Sequence, residues 1–236
     1  MYSASQSGKL NPHALAQIQA RIAAARSRSP NAAPEVSLVA VTKAFPLETL
    51  ISGYEGGLRI FGESRVQDAA AKLPQFPQRM ECEVRLIGHL QSNKARKAAQ
   101  LFDLIESVDS LKLLHRLDSI TGEEGRENMP VYLQVNAGHD EAKFGFDPDE
   151  LLKVILEVAD VRHLSIAGVM TIAPLTSDEV RLRDCFRTAR AVRDALQAQL
   201  PTCTDLSMGM TDDFELAIEE GATHVRIGRA LFGERP

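Results

Sequence analysis

Eight short apolar runs, each followed by a stretch of helical composition or a turn, constrain this chain more than any other feature of its sequence. The runs are 37 to 43 (SLVAVTK), 58 to 63 (LRIFGE), 84 to 90 (VRLIGHL), 103 to 108 (DLIESV), 130 to 137 (PVYLQVNA), 165 to 172 (SIAGVMTI), 205 to 210 (DLSMGM) and 223 to 228 (THVRIG). Runs this short, rich in β-branched residues and bounded by turn residues, read as buried strands of a parallel sheet. Helix starts lie between them: Ser92 before 94 to 101, Asp109 before the Leu111, Leu114, Leu117 stripe, and Thr211 or Asp212 ahead of a helix ending near Gly221. Asp147 with Pro148 and Glu150, and Thr176 with Glu179, read as capping boxes. Ahead of the first strand, Leu15, Ile18 and Ile22 recur at helical spacing over 13 to 28, with Arg21, Arg26 and Arg28 toward the end where cations complement the helix dipole. Eight strand-helix units in 236 residues predict an α/β fold, a single (β/α)8 TIM barrel with an extra N-terminal helix; an open eight-stranded sheet is the alternative that the pattern alone leaves standing. Residues 1–12 read as a flexible start, 13–236 as one domain, and 122 to 130 as a loop within it.

The balance of 27 basic against 32 acidic residues leaves a net charge of −5, which repels polyanions and disfavours nucleic acid as a partner. No apolar run approaches the roughly 20 residues that span a bilayer, and the N-terminus has no signal-peptide pattern. Cys82, Cys185 and Cys203 are odd in number and widely spaced, which fits reduced thiols in a cytoplasmic protein and no zinc site. His89 and His139 lack metal-ligand spacing, and no metal is expected.

Active sites of such barrels gather at the C-terminal ends of the strands. Lys43 ends the first run, and period-two alternation places it on the face of Val39 and Val41, with Leu38, Ala40 and Thr42 opposite. An amine desolvated there loses its proton more readily and condenses with an aldehyde; the competing reading is a lysine that snorkels outward or pairs with Glu63. At the other end of the chain, Ser207, Gly209 and Met210 follow the seventh run, and Arg226, Gly228 and Arg229 lie on or after the eighth. That is where barrels frequently build phosphate sites. Arg226, on the face of His224 and Gly228, offers an inward positive charge. A lysine nucleophile facing a phosphate cradle suggests pyridoxal phosphate. Lys143 is a secondary contact for the aldehyde or a surface lysine. The basic helix start at Gln91 to Lys97 is a second phosphate contact or a solvated outer face. Asp212 and Asp213 read as helix-start residues without catalytic work.

These same residues carry a resemblance to the pyridoxal phosphate homeostasis protein family, relatives of the N-terminal barrel of alanine racemase. It runs through Leu38 to Lys43, Phe61 to Gln67 (FGESRVQ), Leu86 to Lys94 (LIGHLQSNK), Lys143 to Gly145, Gly168 to Met170, Leu206 to Asp213 (LSMGMTDD) and Val225 to Gly233 (VRIGRALFG). The resemblance implies a fold-type III barrel without the racemase β domain. It implies that Lys43 carries the cofactor as a Schiff base and that Ser207, Met208, Gly209, Arg226 and Gly228 surround it. Three positions depart from the family pattern: Ser64 replaces an asparagine, Arg85 a histidine, and Arg229 a small hydroxyl residue. Arg229 either neutralises the phosphate directly or turns outward.

Racemisation needs a base on each face of the substrate α-carbon, and the racemases that these barrels resemble draw one from a tyrosine of a second domain. The chain stops just after its eighth run, and Tyr2, Tyr54 and Tyr132 all lie away from predicted strand ends. The expectation is therefore a non-enzymatic protein, a monomer that buffers or delivers pyridoxal 5'-phosphate, with apo-enzymes as recipients. A weak amino-acid racemase and a Schiff-base aldolase acting on phosphorylated substrates are the alternatives.

Overall fold

Each of the eight runs forms a strand that pairs in parallel with the next, and the eighth pairs with the first, so the sheet closes. The structure, a computed structural model, describes residues 7–140 and 142–234. The strands are β1 (Ser37–Val41), β2 (Ile60–Glu63), β3 (Glu83–Leu86), β4 (Leu104–Val108), β5 (Met129–Gln134), β6 (Leu164–Met170), β7 (Asp205–Ser207) and β8 (His224–Ile227). Around them run α1 (Pro12–Arg28), α2 (Leu47–Glu55), α3 (Val66–Lys72), α4 (Ala95–Leu101), α5 (Leu111–Glu123), α6 (Pro148–Lys153), α7 (Ile155–Ala159), α8 (Glu179–Gln197), α9 (Phe214–Glu219) and α10 (Arg229–Phe232).

The strands are shorter than the runs that announced them. Ladder pairing between β1 and β2 ends at Val41 and Gly62, the Thr42 amide makes one more bond to the Gly62 carbonyl at 3.0 Å, and the chain then turns through Ala44 at φ 63°. Lys43 therefore stands two residues past β1 rather than on it. Met208, Gly209 and Met210 likewise lie beyond β7.

Caps hold the helices where the sequence offers them. Asn11 accepts from the His13 and Ala14 amides ahead of Pro12, and Asp147 accepts from Asp149 and Glu150 ahead of α6. Two expected caps move by one or two residues: Ser110, not Asp109, caps α5, and Asp178, not Thr176, caps α8, leaving Thr176 to accept from the Asp178 amide. Asp213 takes the N-cap of α9, one residue beyond Asp212. The expected flexible start covers residues 1–6, which lie outside the described residues, and a segment that is tied down: Gly8 and Asn11 donate to the carbonyls of Phe232 and Leu231, and the Leu10 amide donates to Ser52.

Alternation along the strands sorts side chains between two cores. Phe61, Val84, Leu86, Ile105, Val131, Leu133, Val169, Leu206, Val225 and Ile227 face the helices and join the main apolar cluster. Inside the barrel, where branched aliphatics usually stack, only Leu104, Tyr132 and Met170 form an apolar cluster among the described residues. Much of the rest of that interior is polar: Arg85, Glu106, Ser207, His224 and Arg226 are all buried there. Among the described residues no helix is long and apolar enough to cross a membrane, and Cys82, Cys185 and Cys203 are free and buried.

Candidate functional site

The polar interior forms the floor of a cavity at the C-terminal rim. Glu106, fully buried on β4, accepts from Arg85 at 3.1 Å on one oxygen and from the Ser207 hydroxyl at 2.7 Å on the other. Arg226 donates to the Ser207 carbonyl and hydroxyl oxygens, both at 2.8 Å, and to the Thr171 carbonyl at 2.7 Å. Burial holds Arg226 below its ordinary value despite Glu106 nearby. For Arg85 burial pulls the same way, but Glu106 and its other neighbours outweigh it and hold the value up. Buried polar groups are tolerated in this way when each donor and acceptor is matched.

Above this floor lies a cavity of about 380 Å³, within the usual size of a small-molecule site. Val41, Ile87 and Ile172 give it apolar walls, and Phe45 closes it beside β1. Lys43 and Arg226 bring cationic groups to it, and the loops after β7 and β8 contribute Met210, Thr211, Asp212, Gly228 and Arg229, with Gly233 and Glu234 at the lip. The alternation argument thus puts Lys43 with Val41 at the mouth and Thr42 behind it.

Behind the Lys43 turn sits a charged cluster that the sequence did not announce. Lys72 of α3 donates to the Thr42 carbonyl at 3.0 Å and the Phe45 carbonyl at 2.9 Å, and lies 2.7 Å from Glu63. Thr42 donates its hydroxyl to the same Glu63 oxygen at 2.6 Å, while the other Glu63 oxygen is buried without a hydrogen bond. Burial pushes the Glu63 carboxyl above the ordinary carboxylate range, against the pull of Lys72. Glu63 therefore pairs with Lys72, and Lys72 grips the backbone on both sides of Lys43.

Of the six residues expected around a cofactor, Lys43, Arg226 and Gly228 line the cavity. Ser207 lies beneath it with its hydroxyl hydrogen given to Glu106. Met208 points into the helix-facing core, and its amide donates to the His224 carbonyl. Gly209 shapes the loop: at φ 92°, a Cβ there would come within 2.6 Å of Ala217 and 2.9 Å of the Phe214 backbone. Its carbonyl accepts from the Arg226 amide at 3.0 Å. Gly228 is needed for close approach, since a Cβ would meet the Val41 carbonyl at 3.0 Å.

The remaining candidates sort by position. Lys143 is absent from the cavity lining and donates to the Ala173 carbonyl at 2.6 Å, just behind Ile172. Arg96, from the basic stretch and in the first turn of α4, pairs with Glu123 and Glu124 on the outer face. His89 stacks on Phe144 and pairs with Asp109 at 2.9 Å. Arg85, the departure from a family histidine, is part of the floor, and Ser64 packs its backbone against Gly88, where a Cβ would fall 2.3 Å from the Ser64 carbonyl. Asp212 corrects the expectation of a helix-start role: it faces the cavity and pairs with Arg229 at 3.1 Å. Asp213 instead accepts from the Met210 amide at 2.6 Å, and burial raises its carboxyl.

An amine on a turn beyond β1, a buried guanidinium on β8 and the segments that follow β7 and β8 line one cavity at the C-terminal rim of a closed (β/α)8 barrel. The family model for the N-terminal domain of alanine racemase matches residues 14–236, and the chain belongs to that family, in its branch of pyridoxal phosphate homeostasis proteins. The pyridoxal phosphate homeostasis protein of Pasteurella multocida is 35% identical over 224 residues, covering 94% of this chain and 96% of the relative. PipY of Synechococcus elongatus, solved with pyridoxal phosphate bound, is 41% identical with a TM-score of 0.79, covering 92% of this chain and all of PipY. An alanine racemase of Clostridium difficile shares the fold at 16% identity and a TM-score of 0.71, covering 97% of this chain and 58% of the racemase.

Proposed function

We propose that this protein binds pyridoxal 5'-phosphate as a reversible Schiff base on Lys43 and serves its homeostasis inside the cell, buffering or delivering it with little or no turnover. The observation that carries the reading is the placement of Lys43 on the lip of a cavity shared with Arg226, Gly228 and Arg229. The donor set fits this group: a primary amine for the aldehyde, apolar walls at Val41, Ile87 and Ile172 for the ring, and cations with glycine-bearing loops for the phosphate. The family membership and the bound ligand of PipY support the same reading.

The Lys43 amine condenses with the aldehyde and releases water; hydrolysis returns both, which makes the store reversible. Lys72 and Glu63 hold the backbone that presents that amine. Arg226 keeps a positive charge under the cavity while its terminal nitrogens stay bonded to Ser207 and Thr171. The loop backbone around Gly209 to Asp212 and Gly228 to Ala230 is what a phosphate would rest on. Tyr2 lies outside the described residues; the low-turnover reading is supported by the other two tyrosines, since Tyr54 bonds Glu81 away from the rim and Tyr132 is buried with its hydroxyl donated to Asp205 at 2.7 Å. Burial first, then Glu106 and Asp205, raises that phenol further, so it is a poor base.

Incubation with pyridoxal phosphate and a panel of amino acids in deuterated water tests this. The expected result is a yellow protein that leaves the amino-acid α-hydrogens unexchanged. Exchange at enzymatic rates would establish the racemase reading instead, and a protein that stays colourless would favour a Schiff-base enzyme acting without this cofactor.

A further inference from the structure

We infer that Arg229 is the cation that meets the phosphate of the bound aldehyde, and that Asp212 holds it in an ion pair which the ligand must displace. The inference rests on the proposed binding of pyridoxal phosphate at Lys43. It starts from what is already committed. The terminal nitrogens of Arg226 are bonded to Ser207 and Thr171, and the Ser207 hydroxyl is bonded to Glu106, all in the buried floor. Turning either group up to an anion would strand buried partners, a cost well above that of breaking a solvated contact. Arg229 is placed differently. Its side chain is 56% exposed, it lines the cavity, and it reaches from the first residue of α10, just after β8, to Asp212 in the loop after β7.

Those are the two loops from which barrels commonly build phosphate sites. The Asp212 side chain is 79% exposed, so this ion pair is solvated and weak. A phosphate dianion, with three acceptor oxygens, is the stronger partner for a guanidinium. The lip also carries Glu234, so without Arg229 two carboxylates would face the place where a dianion must enter. Arg229 and Asp212 therefore act with opposite sign: the arginine favours the phosphorylated ligand, and the aspartate competes with it for the arginine.

The test compares equilibrium binding of pyridoxal phosphate with that of pyridoxal, which lacks the phosphate, followed by Schiff-base absorbance. Arg229→Gln is expected to weaken pyridoxal phosphate about tenfold, as loss of a partly solvated charge-assisted bond should, while pyridoxal binding stays within about twofold. Arg229→Lys should recover part of the loss. Asp212→Asn is expected to tighten pyridoxal phosphate by about two- to fivefold and leave pyridoxal unaffected. Equal effects of Arg229→Gln on both aldehydes, or none on either, would overturn the inference and leave the Lys43 reading standing. Weaker phosphate binding in Asp212→Asn would overturn the competition between the two residues. Wild-type protein that gives no Schiff base with either aldehyde would overturn both readings together.

Discussion

His224 begins β8 inside the barrel, with Nε2 3.1 Å from an Arg85 nitrogen and Nδ1 2.8 Å from the Thr223 hydroxyl. A guanidinium only donates, so Nε2 must accept and the proton sits on Nδ1. Burial, then the charges of Arg85 and Arg226, pull its pKa down to about 3 from an ordinary 6.5. The unfolded chain takes up a proton as pH falls below about 6.5, and the native state does not until about pH 3. The stabilisation is thus complete above 6.5 and is lost as pH falls through that window, at about 1.4 kcal/mol per pH unit. Urea unfolding of wild type and His224→Gln at pH 7 and pH 4.5 checks this: wild type should lose about 2 to 3 kcal/mol more than the variant between the two. Equal losses would mean that His224 is protonated in the native state.

At the scale of elements, the short helix α3 does more than cover β2. Through Lys72 it bonds the carbonyls on either side of Lys43 and neutralises Glu63 at the end of β2. Lys72→Ala would leave a buried carboxylate without its cation, a change that typically costs about 3 to 5 kcal/mol. Chemical denaturation should show that loss, and Lys72→Met combined with Glu63→Leu should recover much of it by removing both charges. A Lys72→Ala loss under about 1 kcal/mol would show that the cluster is not what holds the turn. This cluster was illegible in the sequence because Lys72 reads as an ordinary last-turn cation. Its meaning comes from the strand ends that the barrel brings against α3. The two short helices α2 and α3 escaped notice for a related reason: Pro46 and Arg65 precede them, and neither provides a side-chain cap.

Over the whole molecule, the period of the sequence gave the order and number of the strand-helix units, and the pairing of β8 with β1 decides for a closed barrel over the open sheet that the pattern left standing. Eight apolar runs became eight strands in order, and Lys43, two residues past β1, lines the same cavity as Val41, with which the alternation grouped it. Motif spacing located the loops after β7 and β8. It could not say which side chains in them are free to meet a ligand, because that depends on partners far away in the chain. Ser207 is committed to Glu106 across 101 residues, and Arg85 to His224 across 139. No local pattern marks Glu106 as the centre of that floor, since it sits in a strand that otherwise reads as apolar core. The first and last of the described residues also meet, with the Ser7 hydroxyl donating to the Glu234 carbonyl beside the cavity.

Borohydride reduction of the protein after incubation with pyridoxal phosphate, followed by peptide mapping, tests the account at its centre. A reduced cofactor adduct on the peptide bearing Lys43, absent from Lys43→Ala, is the predicted result. An adduct mapped to Lys143 or Lys72 in its place, or undiminished trapping by Lys43→Ala, would contradict it.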